Sequence, residues 1–325
     1  MAGPLARPPD LGPHRHAERD QANRDARAAP RAATTLSGDQ AAQGGPSGIR
    51  CAIDIAPLGD LADPAAIVRL AVAAEAAGWD GLSIWDSTGV SMGGSAADPF
   101  VTLAAVAQAT ERLRLIASVI VLPRRRPQLV VQAAATLDRV SGGRLILGVG
   151  AGADPGDFDS FGEAAPLSER VAGMDAALAA IDPWLRGAPA QLDVPGATAV
   201  TLGPRPIQSP RPPIWLGGMK PGALRRAARW DGWIAIATSE DGASMALSAD
   251  AFGAMVDKVR AERAALGRAA EPFDVAVFGF SDPGSADLVA SYADRGATWW
   301  LESLSPMRGS MHELLVVVEA GPPRS

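Results

Sequence analysis

The chain has 325 residues, of which 47% are hydrophobic and 20% charged, with a formal net charge of −6. That is a globular composition without general affinity for nucleic acid; one cysteine excludes an internal disulfide and three histidines argue against a multi-histidine metal centre. No apolar run approaches the ~20 residues of a membrane span, so a cytoplasmic protein with a small-molecule substrate is expected, a homodimer being one option.

Residues 1–48 stand apart from the rest. They are rich in Ala, Arg, Pro, Gly and Asp and show no apolar periodicity. Such a segment buries too little surface to offset its ordering entropy, which predicts a disordered tail dispensable for folding. It has no hydrophobic stretch of the secretory kind, and Asp10, Glu18, Asp20 and Asp25 among its arginines argue against a mitochondrial transit peptide. The remainder, residues 49–325, is read as one domain, close to the size of an eight-unit α/β barrel.

From Cys51 onward, short apolar runs alternate with helical patterns. CAIDIA (51–56) reads as a strand. The helix after it has Asp63 as its cap, Pro64 at its first position and Gly78 beyond its end, with an apolar stripe of Ile67, Leu70, Ala71 and Ala74. GLSIW (81–85) is the second strand, and Asp98–Pro99 opens a helix by the same device. RLIASVIV (114–121) is the third strand, followed by a helix from Pro127. RLILGVG (144–150) is the fourth. A helix over 168–186 then precedes PPIWLGG (212–218), the fifth strand. ALRRAARW (223–230) is helical and GWIAIA (232–237) is the sixth strand. Helices over 249–266, 285–296 and 309–319 flank FDVAVFGF (273–280) and ATWWLES (297–303), strands seven and eight. Nearly continuous apolar strands mean a parallel sheet covered on both faces. Eight evenly spaced βα units predict a (β/α)8 TIM barrel; a doubly wound sheet is the alternative.

Two glycine-rich loops follow strands four and five, at the C-terminal face where such barrels carry their active sites. GVGAGA (148–153) matches a dinucleotide fingerprint, but Pro155, Gly156 and Gly162 prevent a helix from starting on time, and three βα units precede it. A Rossmann reading is rejected. LGGMKPG (216–222) leads into a helix near Pro221, so its backbone N–H groups suit an anion, with Lys220 adding charge. The alternative for both loops is a tight βα turn. Asp54 sits mid-strand, where a carboxyl is costly unless paired; a core arginine is its expected partner, action on substrate being the alternative. Trp299 and Trp300 are adjacent in a strand and face opposite ways, one toward the barrel top and one under a helix. Trp230 and Trp233 are expected in the core.

ATLDRVSGGRLILGVGAG (135–152) followed by PPIWLGGMKPGALRRAARWDGWI (212–234) resembles the luciferase-like monooxygenase family of flavin- and deazaflavin-dependent oxidoreductases. AEAAGWDGLSIWDS and TERLRLIASVIVLPRRRP support the resemblance, which covers roughly residues 50–303. It implies a barrel with the cofactor at its mouth. It also implies a non-proline peptide, often cis, behind the cofactor ring, matched by Ser118–Val119. The strand-four contact to the ribityl and phosphate region maps to Gly150, Ala151 and Gly152, and the strand-five phosphate contact to Gly217, Gly218 and Met219. The departures count as well. Luciferase-type members hold the FMN phosphate with a strand-four arginine, where this chain has Ala151, and with polar strand-five side chains, where it has Gly217 and Gly218. Bare loops look more like the deazaflavin branch, so coenzyme F420 is the favoured cofactor and FMN the alternative. That branch often places an Asp–His pair after strand two; here it reads Asp86–Ser87. With the histidine absent, Asp86 and Glu302 become the candidate proton donors, and Arg124–Arg126 a candidate anchor for the acidic deazaflavin tail. The implied activity is hydride transfer to or from a small organic substrate; the alternative is a non-catalytic flavin- or deazaflavin-binding barrel.

Overall fold

The computed structural model describes residues 48–92, 94–236, 239, 244–282 and 285–323. All but the last residue of the expected N-terminal tail lies outside them. Eight parallel strands close into a barrel in sequence order: β1 (Arg50–Ile55), β2 (Gly81–Ile84), β3 (Arg114–Val121), β4 (Leu145–Gly150), β5 (Ile214–Gly217), β6 (Gly232–Ile236), β7 (Asp274–Gly279) and β8 (Trp299–Leu304). β8 returns to pair with β1, which removes any free edge.

The expected helix starts are realised. Asp63 accepts a 2.9 Å bond from the Ala65 N–H, Asp98 a 3.0 Å bond from that of Val101, and Pro64 and Pro99 occupy the first positions. The helix Pro127–Val140 buries Val130, Ala134 and Leu137 against the sheet. The sequence pattern did not indicate the short helix Gly156–Asp159 in the strand-four loop. No helix among the described residues is long and apolar enough to cross a membrane.

Strand alternation divides the interior in two. One face of each strand joins the helices in the outer core; the other face fills the lumen with Ala52, Ile116, Ile146, Trp215, Ile234, Ala276, Phe278, Trp299 and Leu301. The N-terminal end of the lumen is sealed. Arg50 pairs with Asp274 at 2.5 Å and lies 4.3 Å over the Trp299 ring, which meets Trp215 edge-on at 5.8 Å. Trp299 is therefore near the barrel bottom, not its top as expected, because it lies at the start of β8. Trp300 faces outward and packs against Tyr292 of the helix Ala286–Asp294. Trp233 is buried, whereas Trp230 is only half-buried, with the Arg211 guanidinium above its ring. The filled lower lumen leaves its C-terminal mouth as the end available to a ligand.

Candidate active site

The mouth is organised around Val119. The Ser118–Val119 peptide bond is cis, and the β3–β4 register shifts between Ala117 and Ile120. Val119 packs against the lumen cluster. Its side chain lies against two glycines: a Cβ on Gly150 would be 3.0 Å from Val119 Cγ2, and one on Gly217 would be 2.8 Å from Val119 Cγ1. A Cβ on Gly217 would force Val119 to shift, and one on Gly150 would press on its other methyl, so glycine at both positions leaves Val119 its place. Gly218 has φ +132°, and a Cβ there would meet the Ala223 Cβ at 2.8 Å. The glycines thus have a packing role that the sequence pattern did not reveal, in addition to exposing backbone.

Trp85, Val119, Phe278 and Ile236 face the same space. Trp85 meets Phe278 edge-on with ring centroids 6.5 Å apart, and Ile236 is 48% exposed at the end of β6 although its register partner is the buried Phe278. Together they form an apolar floor suited to a flat ring. Beside it, the strand-five loop is held by the Trp233 indole, which donates to the Gly218 carbonyl at 2.8 Å, and by the Ile236 N–H, which donates to Met219 Sδ at 3.2 Å. The backbone N–H groups of Met219 and Lys220 have no acceptor among the described residues. Ala151 and Gly152 are half-buried at the neighbouring edge.

Asp54 lies beneath the floor with 0% exposure. The expected arginine is not its partner. Its Oδ2 accepts a 2.6 Å bond from the Trp85 indole, whereas Oδ1 and the Oγ of Ser83, the register partner, have no hydrogen bond of normal geometry. Burial pushes the carboxyl up from 3.8 to about 7, with the smaller pulls of Ser83 and Trp85 opposing it.

The two carboxyls expected to donate protons are placed differently. Asp86 is buried and turned away from the lumen. Arg125 grips it through two bonds of 2.9 and 2.8 Å, Arg124 approaches its Oδ1 at 3.2 Å, and the Val121 N–H donates to it at 2.9 Å. Arg124 also pairs with Asp157 at 2.7 Å, and Arg125 with Asp98 at 3.1 Å. These arginines fasten the loops after strands two, three and four to one another, which leaves only Arg126 of the basic run exposed. A cavity of about 390 Å³ adjoins them, lined in part by Ser87, Thr88, Phe161 and Glu163.

Glu302 is 1% exposed and shares the outward face of β8 with Trp300. It accepts from the Ser281 N–H at 2.9 Å, the Ser281 hydroxyl at 2.6 Å and the Trp300 indole at 2.6 Å, and it pairs with Arg308. The structure therefore does not bring it to the mouth with the glycine loops. Glu302→Ala is expected to cost about 3 kcal/mol, because it strands a buried guanidinium. Denaturant unfolding measures this, with little change in ligand affinity in the folded variant.

The luciferase-like monooxygenase family matches residues 32–281. The chain belongs to this family. An uncharacterized protein of Mycobacterium bovis and one of Mycobacterium tuberculosis are each 30% identical to this luciferase-like chain over 254 residues, 71% of it and 82% of the relative. Among solved structures, a coenzyme F420-dependent tetrahydromethanopterin reductase from Methanopyrus kandleri superimposes with a TM-score of 0.66 at 18% identity, covering 84% of this chain and 96% of the other. An F420-dependent secondary alcohol dehydrogenase, determined with an F420–acetone adduct, gives 0.69 at 15% identity, covering 85% and 98%. The oxygenating constituent of 3,6-diketocamphane monooxygenase from Pseudomonas putida, in complex with FMN, gives 0.57 at 16%, covering 71% and 67%. These structures share the barrel, and the luciferase-like family comprises oxidoreductases and monooxygenases. A flavin-type group fits this mouth: the floor is apolar, Gly150 and Gly217 carry no Cβ beside Val119, and the Met219 and Lys220 N–H groups have no acceptor among the described residues that would compete with an anion.

Proposed function

We propose that this chain is an oxidoreductase that binds a deazaflavin, coenzyme F420, at the barrel mouth in preference to FMN, and transfers hydride to or from a small organic substrate. The observation that carries the preference is that position 151 is alanine and that both Arg124 and Arg125, in the neighbouring strand-three loop, are occupied by carboxylates. A charge-assisted phosphate contact is stronger than a neutral one, so a cofactor anchored chiefly by its single phosphate is disfavoured. The deazaflavin's longer acidic tail extends past the ring pocket, where exposed Lys220 and Arg126 offer charge.

In this reading the coenzyme, when bound, supplies the hydride carrier. Val119, Trp85, Phe278 and Ile236 supply a dry face for its ring, and the Met219 and Lys220 amides receive its phosphate. A non-catalytic binding barrel is favoured by one observation: Asp86 and Glu302 are both engaged in ion pairs.

Fluorescence titration of the purified chain with each cofactor tests the preference. F420 is expected to bind at least tenfold more tightly, about 1.4 kcal/mol. Purification with stoichiometric FMN, or a lower Kd for FMN, reverses the assignment. Oxidation of the reduced coenzyme by any of a panel of small carbonyl and enone compounds separates an enzyme from a carrier.

A further inference from the structure

The Asp54–Trp85 pair lies where the lumen opens into the mouth. Trp85 follows β2 and faces the ligand side, half-buried, with Phe278 against its ring. Its indole N–H has one acceptor, Asp54 Oδ2. The groups facing Asp54 are few. β2 presents Ser83 and Trp85, and β8 presents Ser303. The lumen side chains Ile116, Phe278 and Leu301 are apolar. The charged lumen residues Arg50, Arg114 and Asp274 belong to the bottom layer, and Asp86 and Glu302 point outward. No countercharge therefore shares the upper lumen with this carboxyl among the described residues.

We propose that Asp54 is a positioning residue that holds Trp85 as one wall of the ligand site, and that proton exchange at Asp54 sets how tightly the site binds a flat ring. The proposal rests on the functional reading above for the identity of that ring.

The physical argument is linkage. The neutral carboxyl accepts from Trp85 through Oδ2, and its Oδ1 hydroxyl faces the Oγ of Ser83, the register partner, with no charge left to compensate. The carboxylate has no cation to compensate it and depends on whatever solvation reaches it through the mouth. Asp54 itself is already fully buried, so a ring laid over the floor acts by displacing the high-dielectric water of the mouth above it, which favours the neutral form. The titration already lies near neutrality in the free chain, so binding takes up a proton in the physiological range, and affinity falls as pH rises above it. Asn at this position reproduces the neutral carboxyl, because its amide oxygen accepts from Trp85 and its NH2 group donates to Ser83.

Two measurements on the full chain test this. The first uses no ligand: near-UV circular dichroism of the tryptophans is followed from pH 5 to 9. A transition with a midpoint near 7 is expected in the wild type and is expected to vanish in Asp54→Asn and in Trp85→Phe; its persistence in Asp54→Asn overturns the proposal. The second compares Kd values for F420 and for FMN in the wild type and Asp54→Asn. The ratio of the two proteins' values cancels titration of the ligand itself. The ratio is expected to be near one at pH 6 and at least fivefold, in favour of the Asn variant, at pH 8. A ratio that does not change with pH overturns the coupling. Failure of both cofactors to bind, with the first transition intact, overturns the functional reading and the coupling to ring binding, but leaves the link between Asp54 and Trp85 standing.

Discussion

Asp54→Asn is expected to make the protein more stable at pH 8 while leaving it unchanged near pH 4. The sign follows from the direction of the shift. A carboxyl whose native value is raised from 3.8 to about 7 binds more protons in the folded state than in the unfolded state throughout that interval. Wild-type stability therefore falls as pH rises from about 4 to 7 and is level on either side of the window, as far as this group decides it. This is opposite to the usual salt-bridged aspartate, which loses stability on acidification. At about 1.4 kcal/mol for each tenfold change in proton affinity, the full effect is on the order of 4 kcal/mol. Asparagine has the shape of the neutral acid and no charge to desolvate, so the gain is fully developed above pH 7. Urea unfolding at pH 4.5, 6 and 8 for both proteins measures it. Equal gaps at all three values, or a less stable variant at pH 8, would show that Asp54 is held ionised in the native state.

The same residue marks the limit of what the sequence discloses. The eight strands are legible because each is a short apolar run bounded by capping residues or glycine. RLIASVIV matches β3 residue for residue, and most other strand boundaries fall within a residue or two. The position of the glycine loops at the mouth is legible too, since in a barrel the loop after each strand lies at one known end. Side-chain partners are another matter. Alternation places Asp54 on the lumen face, but it does not say that an indole rather than a guanidinium will meet it, because the two are brought together by β1–β2 register. The sequence pattern places Asp86 and Glu302 at strand C-terminal ends, where a barrel's catalytic groups are expected, although β8 runs on past Glu302 to Leu304. Alternation turns both outward, and Arg125 and Arg308 then claim them. The parity of Glu302 with Trp300 is visible in the sequence, but which of the two adjacent tryptophans faces outward is settled only by the packing of Trp300 on Tyr292. The run Arg124–Arg126 illustrates the same problem: a charge run reads as a ligand anchor until the facing carboxylates Asp86 and Asp98, from the loop after strand two, and Asp157, from the loop after strand four, are in view.

Gly217→Ala is expected to weaken cofactor binding at least tenfold, and Val119→Ala in the same chain is expected to restore most of it. The added methyl would lie 2.8 Å from Val119 Cγ1, closer than carbon atoms approach, and the backbone on either side is fixed by barrel pairing. The strain is relieved by moving the Val119 side chain, which has Gly150 on its other flank, where a Cβ would be 3.0 Å away. Moving Val119 therefore deforms the floor on which the ring lies. Small-to-large changes in packed sites commonly cost about 1–3 kcal/mol in stability as well, so binding is to be compared only in protein that remains folded. Removing the two methyls of Val119 frees the space that the new Cβ needs, which makes the pair a double-mutant cycle with a strongly compensating interaction term. If glycine at 217 served only to let the cofactor approach the backbone, the methyl would obstruct the ligand whatever stood at 119, and Val119→Ala would restore nothing. The Kd values of the four proteins in the cycle therefore decide whether clearance for Val119 or clearance for the ligand holds this position to glycine.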